Sequence, residues 1–154
     1  MLESLDTVDW RGIAHPPNST PAQIKEALRS LLTISSERDA EHGYHRLLYA
    51  LGNDHAGTYF PVAVCVIPAL GELLMHNNPF TRMAALNVLV DLTTSFEPEP
   101  GLEMFSWNGE YQSVADVLRD AVTTIRTSIE SVANSAALTE ERALALQLLS
   151  QQPG

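Results

Sequence analysis

The apolar run over residues 55–77 constrains the fold more than any other part of the chain. It is the longest apolar stretch, and it contains two prolines, Pro61 and Pro68. Its most apolar part is only about 17 residues long, the low edge for a membrane span, and Gly71 and Glu72 interrupt it. The run is therefore interpreted as a buried helix with a kink at Pro68. The residues predicted to face the core are Val62, Val66, Leu70 and Leu74.

The composition is typical of one folded domain of 154 residues, with 45% hydrophobic and 18% charged residues. The single cysteine, Cys65, excludes an internal disulfide, and its apolar neighbours predict a small buried side chain. The N-terminal sequence MLESLDTVDW is acidic and has no apolar core segment, so no secretion signal is predicted. These features predict a cytoplasmic protein that does not associate with membranes.

The chain is strongly acidic, with a net charge of −10 from 19 acidic and nine basic residues. Such a surface repels phosphate backbones, which argues against nucleic-acid binding. Acidity can serve solubility alone, or it can favour a partner protein with a basic surface. Composition does not separate these two interpretations.

Helical periodicity and cap residues predict six helices. Two helix starts are marked by a capping residue followed by proline, at Thr20-Pro21 and Asn78-Pro79. The segment 96–110 breaks the rhythm with two prolines, two glycines and four glutamates, and predicts a long irregular connection. The fifth helix begins at Tyr111 or Ser113. The six predicted helices span residues 21–34, 37–51, 58–77, 79–95, 111 or 113 to 132, and 139–151.

An internal repeat suggests how these helices are arranged. The pattern AL-x-x-LL at Ala27 recurs at Ala69, and the pattern R-x-x-AL at Arg82 recurs at Arg142. The first recurrence aligns the first predicted helix with the third, and the second aligns the fourth with the sixth. Helix pairs that repeat about every 40 residues are typical of HEAT and armadillo solenoids. We therefore predict an all-α fold, a short HEAT-like α-solenoid of about three helix pairs. An irregular six-helix bundle is the alternative.

The predicted organisation is one domain over residues 1–154. An N-terminal segment, 1–20, precedes a first helix pair at 21–52 and a second pair at 58–95. The insertion 96–110 then leads into a third pair at 111–151.

Residues 5–92 contain several motifs with a recognisable spacing. They are Asp9, Trp10, His15, the helix from Pro21 to Leu32, His55, Gly57, Thr58, Pro61, Ile67, Pro68, Leu70, Glu72, Leu73 and Leu74. These motifs resemble a group of small bacterial HEAT-repeat proteins. Those proteins tend to have an aspartate-tryptophan near the N-terminus, a histidine-x-glycine-threonine junction and a following helix with two prolines. The resemblance fades over residues 96–154, and the loop 15–20 has two prolines where the group usually has a glycine-containing turn. The resemblance implies the fold and a tendency toward protein binding, and it implies no activity.

Histidines provide an alternative interpretation as a metal-binding protein or enzyme. His42 and His45 are spaced i,i+3 on one predicted helix, and Asp39, Glu41 and His55 are near in sequence. One such pair is a weak zinc signal, and histidines on a polar helix face account for it. A junction role, with its imidazole bonded to a neighbouring helix end, is predicted for His55. No metal or cofactor is predicted.

The clearest functional signal is a window without basic residues between Arg82 and Arg119. It combines acidic residues with aromatic ones, as protein interfaces do: the rings supply binding energy and the charges orient the partner. Alternatively, the aromatic residues fold back against the helices and leave the acids solvated. Both can hold if one ring points inward and another outward. The predicted partner-binding residues are Glu97, Glu99, Glu103, Phe105, Trp107, Glu110 and Tyr111.

These features together predict a non-enzymatic protein-binding module. The most concrete hypothesis is a bacterial immunity protein that neutralises a cationic toxin by direct binding. A scaffold or regulatory adaptor would have the same features. A metal-binding protein or enzyme built around His42, His45 and His55 is the less favoured alternative.

Overall fold

The computed structural model describes residues 1–152, and helices dominate this part of the chain. The prediction of a mainly α-helical protein is confirmed, while the short strands were not predicted. The helices are Ser4–Thr7 (α1), Pro21–Ser30 (α2), Glu37–Leu51 (α3), Ala63–Leu74 (α4), Pro79–Val90 (α5), Val114–Thr124 (α6), Arg126–Ser135 (α7) and Thr139–Ser150 (α8). The strands are Gly52–Asn53 (β1), Thr58–Tyr59 (β2), Glu97–Pro98 (β3), Met104–Trp107 (β4) and Glu110–Ser113 (β5). Residues 31–33 extend α2 as a 3₁₀ turn, and residues 91–95 extend α5 as a π turn.

Side-chain caps fix the helix starts where the sequence predicts them. The Thr20 hydroxyl accepts a hydrogen bond from the Gln23 amide, and the Gln23 side chain accepts one from the Thr20 amide. The Asn78 side chain likewise accepts a hydrogen bond from the Phe80 amide, with Pro79 as the first helical residue. Each cap satisfies amide groups that have no partner within the helix. The predicted starts of α2 and α5 are therefore confirmed.

The larger helices form two layers. Helices α3, α5 and α8 lie side by side in one layer, and α4 packs against α6 and α7 in the other. Between layers, α4 packs on α5 and α7 on α8, while α2 packs on α3. The short helix α1 is fixed to α4 because the Glu72 carboxylate accepts hydrogen bonds from the amides of Glu3 and Ser4, at 3.2 and 3.0 Å.

The apolar run forms the central helix, α4, and ten of its 12 residues are buried. It begins later than predicted, at Ala63, because Thr58 and Tyr59 form a strand. Over residues 60–65, backbone amides bond to carbonyls three residues earlier, as in tight turns. The helix continues through Pro68, and the kink expected there stays a prediction. No helix among residues 1–152 is long and apolar enough to cross a membrane. The four predicted core residues, Val62, Val66, Leu70 and Leu74, are all at most 2% exposed.

The prediction that Cys65 is a small buried side chain is confirmed. Its side chain is 1% exposed, in the first turn of α4. Burial raises the pKa of the Cys65 thiol to about 12, since the surroundings disfavour a charged thiolate. At neutral pH almost no thiolate forms, and thiol chemistry needs the thiolate.

The predicted fifth helix is two helices, α6 and α7, separated at Ile125. The backbone of Ile125 leaves the helical region, with φ −102° and ψ 14°. This break turns the Ile125 side chain toward α4, where it packs against Gly71. A Cβ added to Gly71 would lie 2.6 Å from Ile125 Cγ2, so glycine permits this close approach. The tertiary contact between Ile125 and α4 thus overrides the continuous helical periodicity.

A buried ion pair joins α5 to α8. Arg82 Nε donates to Glu141 Oε2 at 2.6 Å, and Arg82 Nη2 donates to Glu141 Oε1 at 3.1 Å. The Glu141 side chain is fully buried, and its carboxylate also accepts a hydrogen bond from the Leu138 amide at 3.3 Å. The remaining guanidinium nitrogen, Nη1, donates to the His76 carbonyl at 2.8 Å. Both charges therefore have hydrogen-bond partners within the protein.

Candidate partner-binding surface

A small sheet fixes the start of the insertion to the junction before α4. Strand β1 pairs antiparallel with β2, and β2 pairs parallel with β3. The Glu97 amide donates to the Gly57 carbonyl at 2.9 Å, and the Glu99 amide donates to the Tyr59 carbonyl at 2.8 Å. The Thr58 hydroxyl also donates to the Glu99 carboxylate at 2.5 Å. The histidine-x-glycine-threonine junction therefore supports the insertion.

The remainder of the insertion differs from the predicted irregular connection, because β4 and β5 form a hairpin. Its two-residue turn is Asn108-Gly109, and both residues have positive φ, 52° and 81°. An Asn-Gly turn with two positive φ angles matches the twist of an antiparallel hairpin. The Asn-Gly dipeptide between MFSW and EYQS is the sequence signal from which this hairpin could have been predicted.

One face of the hairpin folds back onto the protein. Phe105 is 9% exposed, and its ring stacks on that of Trp107, with centroids 5.5 Å apart and an interplanar angle of 25°. The Gln112 side chain on β5 donates to the Trp107 carbonyl at 3.0 Å. The interpretation that aromatic residues anchor the insertion is thus correct for Phe105 and Trp107. Their packing fixes the orientation of the hairpin.

The opposite face of the hairpin is exposed and uncharged. Side chains alternate between the two faces of a strand, so Met104 and Ser106 lie opposite the anchoring rings. The register places Tyr111 across from Ser106 on the same face. Tyr111 is 74% exposed and Met104 is 42% exposed. We call Met104, Ser106 and Tyr111 the outer face.

The four predicted glutamates differ in their surroundings. Glu97, Glu103 and Glu110 are exposed, and among residues 1–152 no ion pair involves any of them. The Gly101 amide donates to the Glu103 carboxylate at 3.0 Å, which holds the pKa of Glu103 below its ordinary value. Glu99 is partly buried and bonded to Thr58. Three of the four glutamates are therefore available to a partner, while Glu99 has a structural role.

The histidines of the alternative interpretation lie in different surroundings. His42 is exposed, and His45 Nδ1 lies 2.7 Å from Asp54 Oδ2. His55 contacts Tyr49 edge to face, with ring centroids 5.7 Å apart and an interplanar angle of 89°. This ring contact replaces the predicted bond from the His55 imidazole to a helix end, since no such bond occurs in residues 1–152. The same part of the chain has no group of three or more histidine, cysteine, aspartate or glutamate side chains placed to hold a metal ion.

A polar contact that the sequence did not suggest lies near these histidines. The Tyr44 hydroxyl donates a short hydrogen bond to the Asp91 carboxylate, which joins α3 to the π turn after α5. The Tyr44 ring also lies 4.3 Å from the His45 ring. Burial, and then the Asp91 carboxylate, raise the pKa of Tyr44 above its ordinary value, so its phenol stays protonated. This contact fixes the end of α5 just before the insertion begins.

Comparison of the chain with known protein families, with curated proteins and with solved structures gives no match. The resemblance to small bacterial HEAT-repeat proteins therefore stays a prediction. A function for the chain has to be inferred from the geometry of the hairpin and its surroundings.

Proposed function

We propose that the chain is a non-enzymatic protein-binding module built on a short HEAT-like α-solenoid. The order of packing supports this fold: α3, α5 and α8 follow one another in one layer, and each packs on the helix just before it in sequence. In a repeat array each unit contacts only its neighbours, and three units suffice to build a continuous core. An irregular bundle does not require this regular succession. The cytoplasm is the proposed compartment.

The exposed outer face of the hairpin is the observation that carries the proposal. Tyrosine and methionine are enriched at protein interfaces, where a few such residues supply most of the binding energy. Tyr111 projects from a hairpin whose other face is anchored by two stacked rings. An anchored hairpin loses little conformational freedom on binding, which favours affinity. Catalysis would need reactive groups held together around a substrate, and the outer face has none.

The partner that fits best is a protein with a basic surface. Glu103 and Glu110 lie at opposite ends of the hairpin and Glu97 lies on β3, all exposed. Complementary charge speeds encounter and orients the partner. The most concrete form of the proposal is a bacterial immunity protein that binds a cationic toxin and covers its active site. A scaffold or adaptor would use the same surface, but its partner would stay active in the complex.

The first test replaces the most exposed aromatic residue. Tyr111→Ala is expected to weaken binding of the partner captured from the native host about tenfold or more, because Tyr111 is the largest side chain on the outer face. Isothermal titration calorimetry with that purified partner measures the change. Leu146→Ala is the control, since Leu146 is also exposed, at 53%, and lies on α8 outside the hairpin. Equal affinities for the two variants would refute the outer face as the contact surface.

The second test reverses charge without disturbing the fold. The double variant Glu97→Lys/Glu110→Lys is expected to slow association about tenfold at low salt and to flatten its salt dependence, because rim charges act mainly on the association rate. Glu99 is left unchanged because its carboxylate is bonded to Thr58. Stopped-flow association at two salt concentrations is the measurement, and Glu26→Lys on α2 is the control. An association rate that is unchanged in the double variant would exclude electrostatic steering by the insertion.

A further inference from the structure

One edge of the hairpin has no neighbouring strand. The Val114 amide donates to the Glu103 carbonyl at 2.9 Å, so Glu103 directs its backbone groups toward β5. Backbone groups alternate in direction along a strand, so those of Met104 and Ser106 point away from β5. Strands β4 and β5 form a two-stranded sheet, and within residues 1–152 no third strand covers this side. The edge thus presents amide and carbonyl groups in the spacing that an extended chain pairs with.

A groove of about 550 Å³ runs along this edge, between the turn end of β4 and residues 7–13 of the N-terminal segment. A second groove, of about 390 Å³, lies between the hairpin and the faces of α4 and α6. Val8, Trp107 and Asn108 line both grooves. The half-buried indole of Trp107 therefore borders both grooves. We call the two grooves together the Trp107 trough.

The charges of the Trp107 trough select the chemistry of an occupant. Among the described residues, Arg11 is its one basic lining side chain, and Asp9 neutralises it through two bonds of 3.0 and 3.1 Å. Asp120 lines the other groove and is exposed, with no ion-pair partner among residues 1–152. The Trp107 trough therefore has one unpaired negative charge, that of Asp120, beside apolar walls that include Val64 and Pro68. A chain with an apolar side chain beside a basic one matches this arrangement.

We propose that an extended segment of the partner protein pairs with the free edge of β4 as a third strand. Its alternate side chains point into the Trp107 trough, with an apolar residue on Trp107 and a lysine or arginine toward Asp120. In strand addition the main-chain hydrogen bonds provide affinity, and pockets for alternate side chains provide specificity. The inference rests on the proposed function and names its mode of recognition. A second copy of this chain is a poor occupant, because each copy has a net charge of −10.

A defined peptide and two variants of one residue test the proposal. The probe is a fluorescent nine-residue peptide, Val-Ser-Lys-Ser-Val-Ser-Lys-Ser-Val, which places its valines and lysines on one face of an extended strand. It is titrated with the full chain by anisotropy. Ser106→Pro removes the outward-pointing amide at the edge, and proline is tolerated at such edge positions, so the hairpin pairing is kept. We expect Ser106→Pro to bind the peptide about tenfold more weakly. Ser106→Ala, which removes only the hydroxyl, is expected to stay within about twofold of the wild type. Far-UV circular dichroism confirms that both variants are folded.

Methylated peptides separate strand addition from simple charge attraction. In an added strand, the amides of the valines and lysines point one way and those of the serines the other. One peptide therefore carries N-methyl groups on its central valine and on the two lysines, and a second carries them on the two serines that flank the central valine. We expect one of the two methylated peptides to lose binding and the other to keep it. Equal behaviour of the two methylated peptides would overturn the proposal, even if both bind.

Three further outcomes would also overturn it: no measurable binding of the unmodified peptide, equal binding by Ser106→Pro, or dimers of the free chain that Ser106→Pro dissociates. These outcomes are distinct from failure of the proposed function. Tyr111 lies on the outer face and not on the β4 edge. A captured partner that is lost with Tyr111→Ala but kept with Ser106→Pro would therefore preserve the binding function and refute only the strand addition.

Discussion

Glu141→Ala is expected to lower the free energy of unfolding by about 3 kcal/mol, a large part of the stability of a domain of this size. The carboxylate is fully buried, and it neutralises Arg82, whose side chain is 14% exposed. Removing it leaves a guanidinium with little access to water and without its two bonds of 2.6 and 3.1 Å. The Leu138 amide at the start of α8 loses its partner as well. Urea denaturation followed by circular dichroism measures the change.

Two controls separate this effect from the general loss of a charge. Glu130→Gln removes a more exposed partner from the pair between Arg126 and Glu130, and it is expected to change stability by less than about 1 kcal/mol. The double variant Arg82→Met/Glu141→Leu replaces the buried pair with apolar side chains and is expected to recover most of the lost stability. A double variant that is as unstable as Glu141→Ala would show that the pair stabilises the fold beyond the cost of an unpaired charge.

The helix framework follows from local sequence signals, which explains why most of it could be predicted. Helix α3 has its predicted bounds, and α5 begins at the predicted Pro79. In each case a cap side chain, Ser36 for α3 and Asn78 for α5, accepts a hydrogen bond from a backbone amide within three residues. A short stretch of sequence therefore contains all the information. The burial of α4 could be predicted too, because a helix that is apolar on nearly all sides lies in the core.

The features that could not be predicted depend on residues far apart in the chain. The repeat pattern equates Arg82 with Arg142, yet Arg82 is paired with the buried Glu141 whereas Arg142 is exposed. The break at Ile125 depends on a contact with Gly71, which lies on a different helix much earlier in the chain. Neither the pairing of Arg82 nor the break at Ile125 can be predicted from the apolar spacing of the helix in which it occurs. A pattern of apolar spacing reports which face is buried, and not which partner it meets.

Only part of the candidate surface could be predicted from the sequence, because the rest depends on how the strands pair. Composition identified the insertion, but it does not distinguish a ring that anchors the insertion from a ring that stays exposed. Phe105 and Tyr111 are separated by strand alternation, which becomes visible only once the Asn108-Gly109 turn sets the register. The sequence predicts Glu99 at the interface and misses its structural role, because its bond partner, Thr58, lies 41 residues earlier. The parallel pairing of β2 with β3 connects these two distant segments.

Gly52→Ala is expected to destabilise the protein by about 3 kcal/mol, because an added Cβ would collide with the paired strand. That Cβ would lie 2.2 Å from the Thr58 carbonyl oxygen and 2.7 Å from Tyr59 Cα. Both are backbone atoms, so relief requires separating β1 from β2. Because β2 also pairs with β3, we expect the disturbance to reach the insertion. Amide hydrogen exchange at Glu97 and Glu99, which bond to the Gly57 and Tyr59 carbonyls, is expected to quicken more than exchange in α8.

Gly43→Ala is the informative comparison, because the obstacle there is of a different kind. A Cβ at Gly43 would lie 2.5 Å from Leu31 Cδ2, the far end of a flexible side chain. Alanine also stabilises a helix interior by about 0.5–1 kcal/mol relative to glycine. We therefore expect a net change within about 1 kcal/mol and unchanged exchange at Glu97 and Glu99. If Gly43→Ala speeded exchange there as much as Gly52→Ala, general destabilisation would explain both results. Exchange that responds to Gly52 alone would mean that the junction before α4 controls the surface proposed to bind the partner.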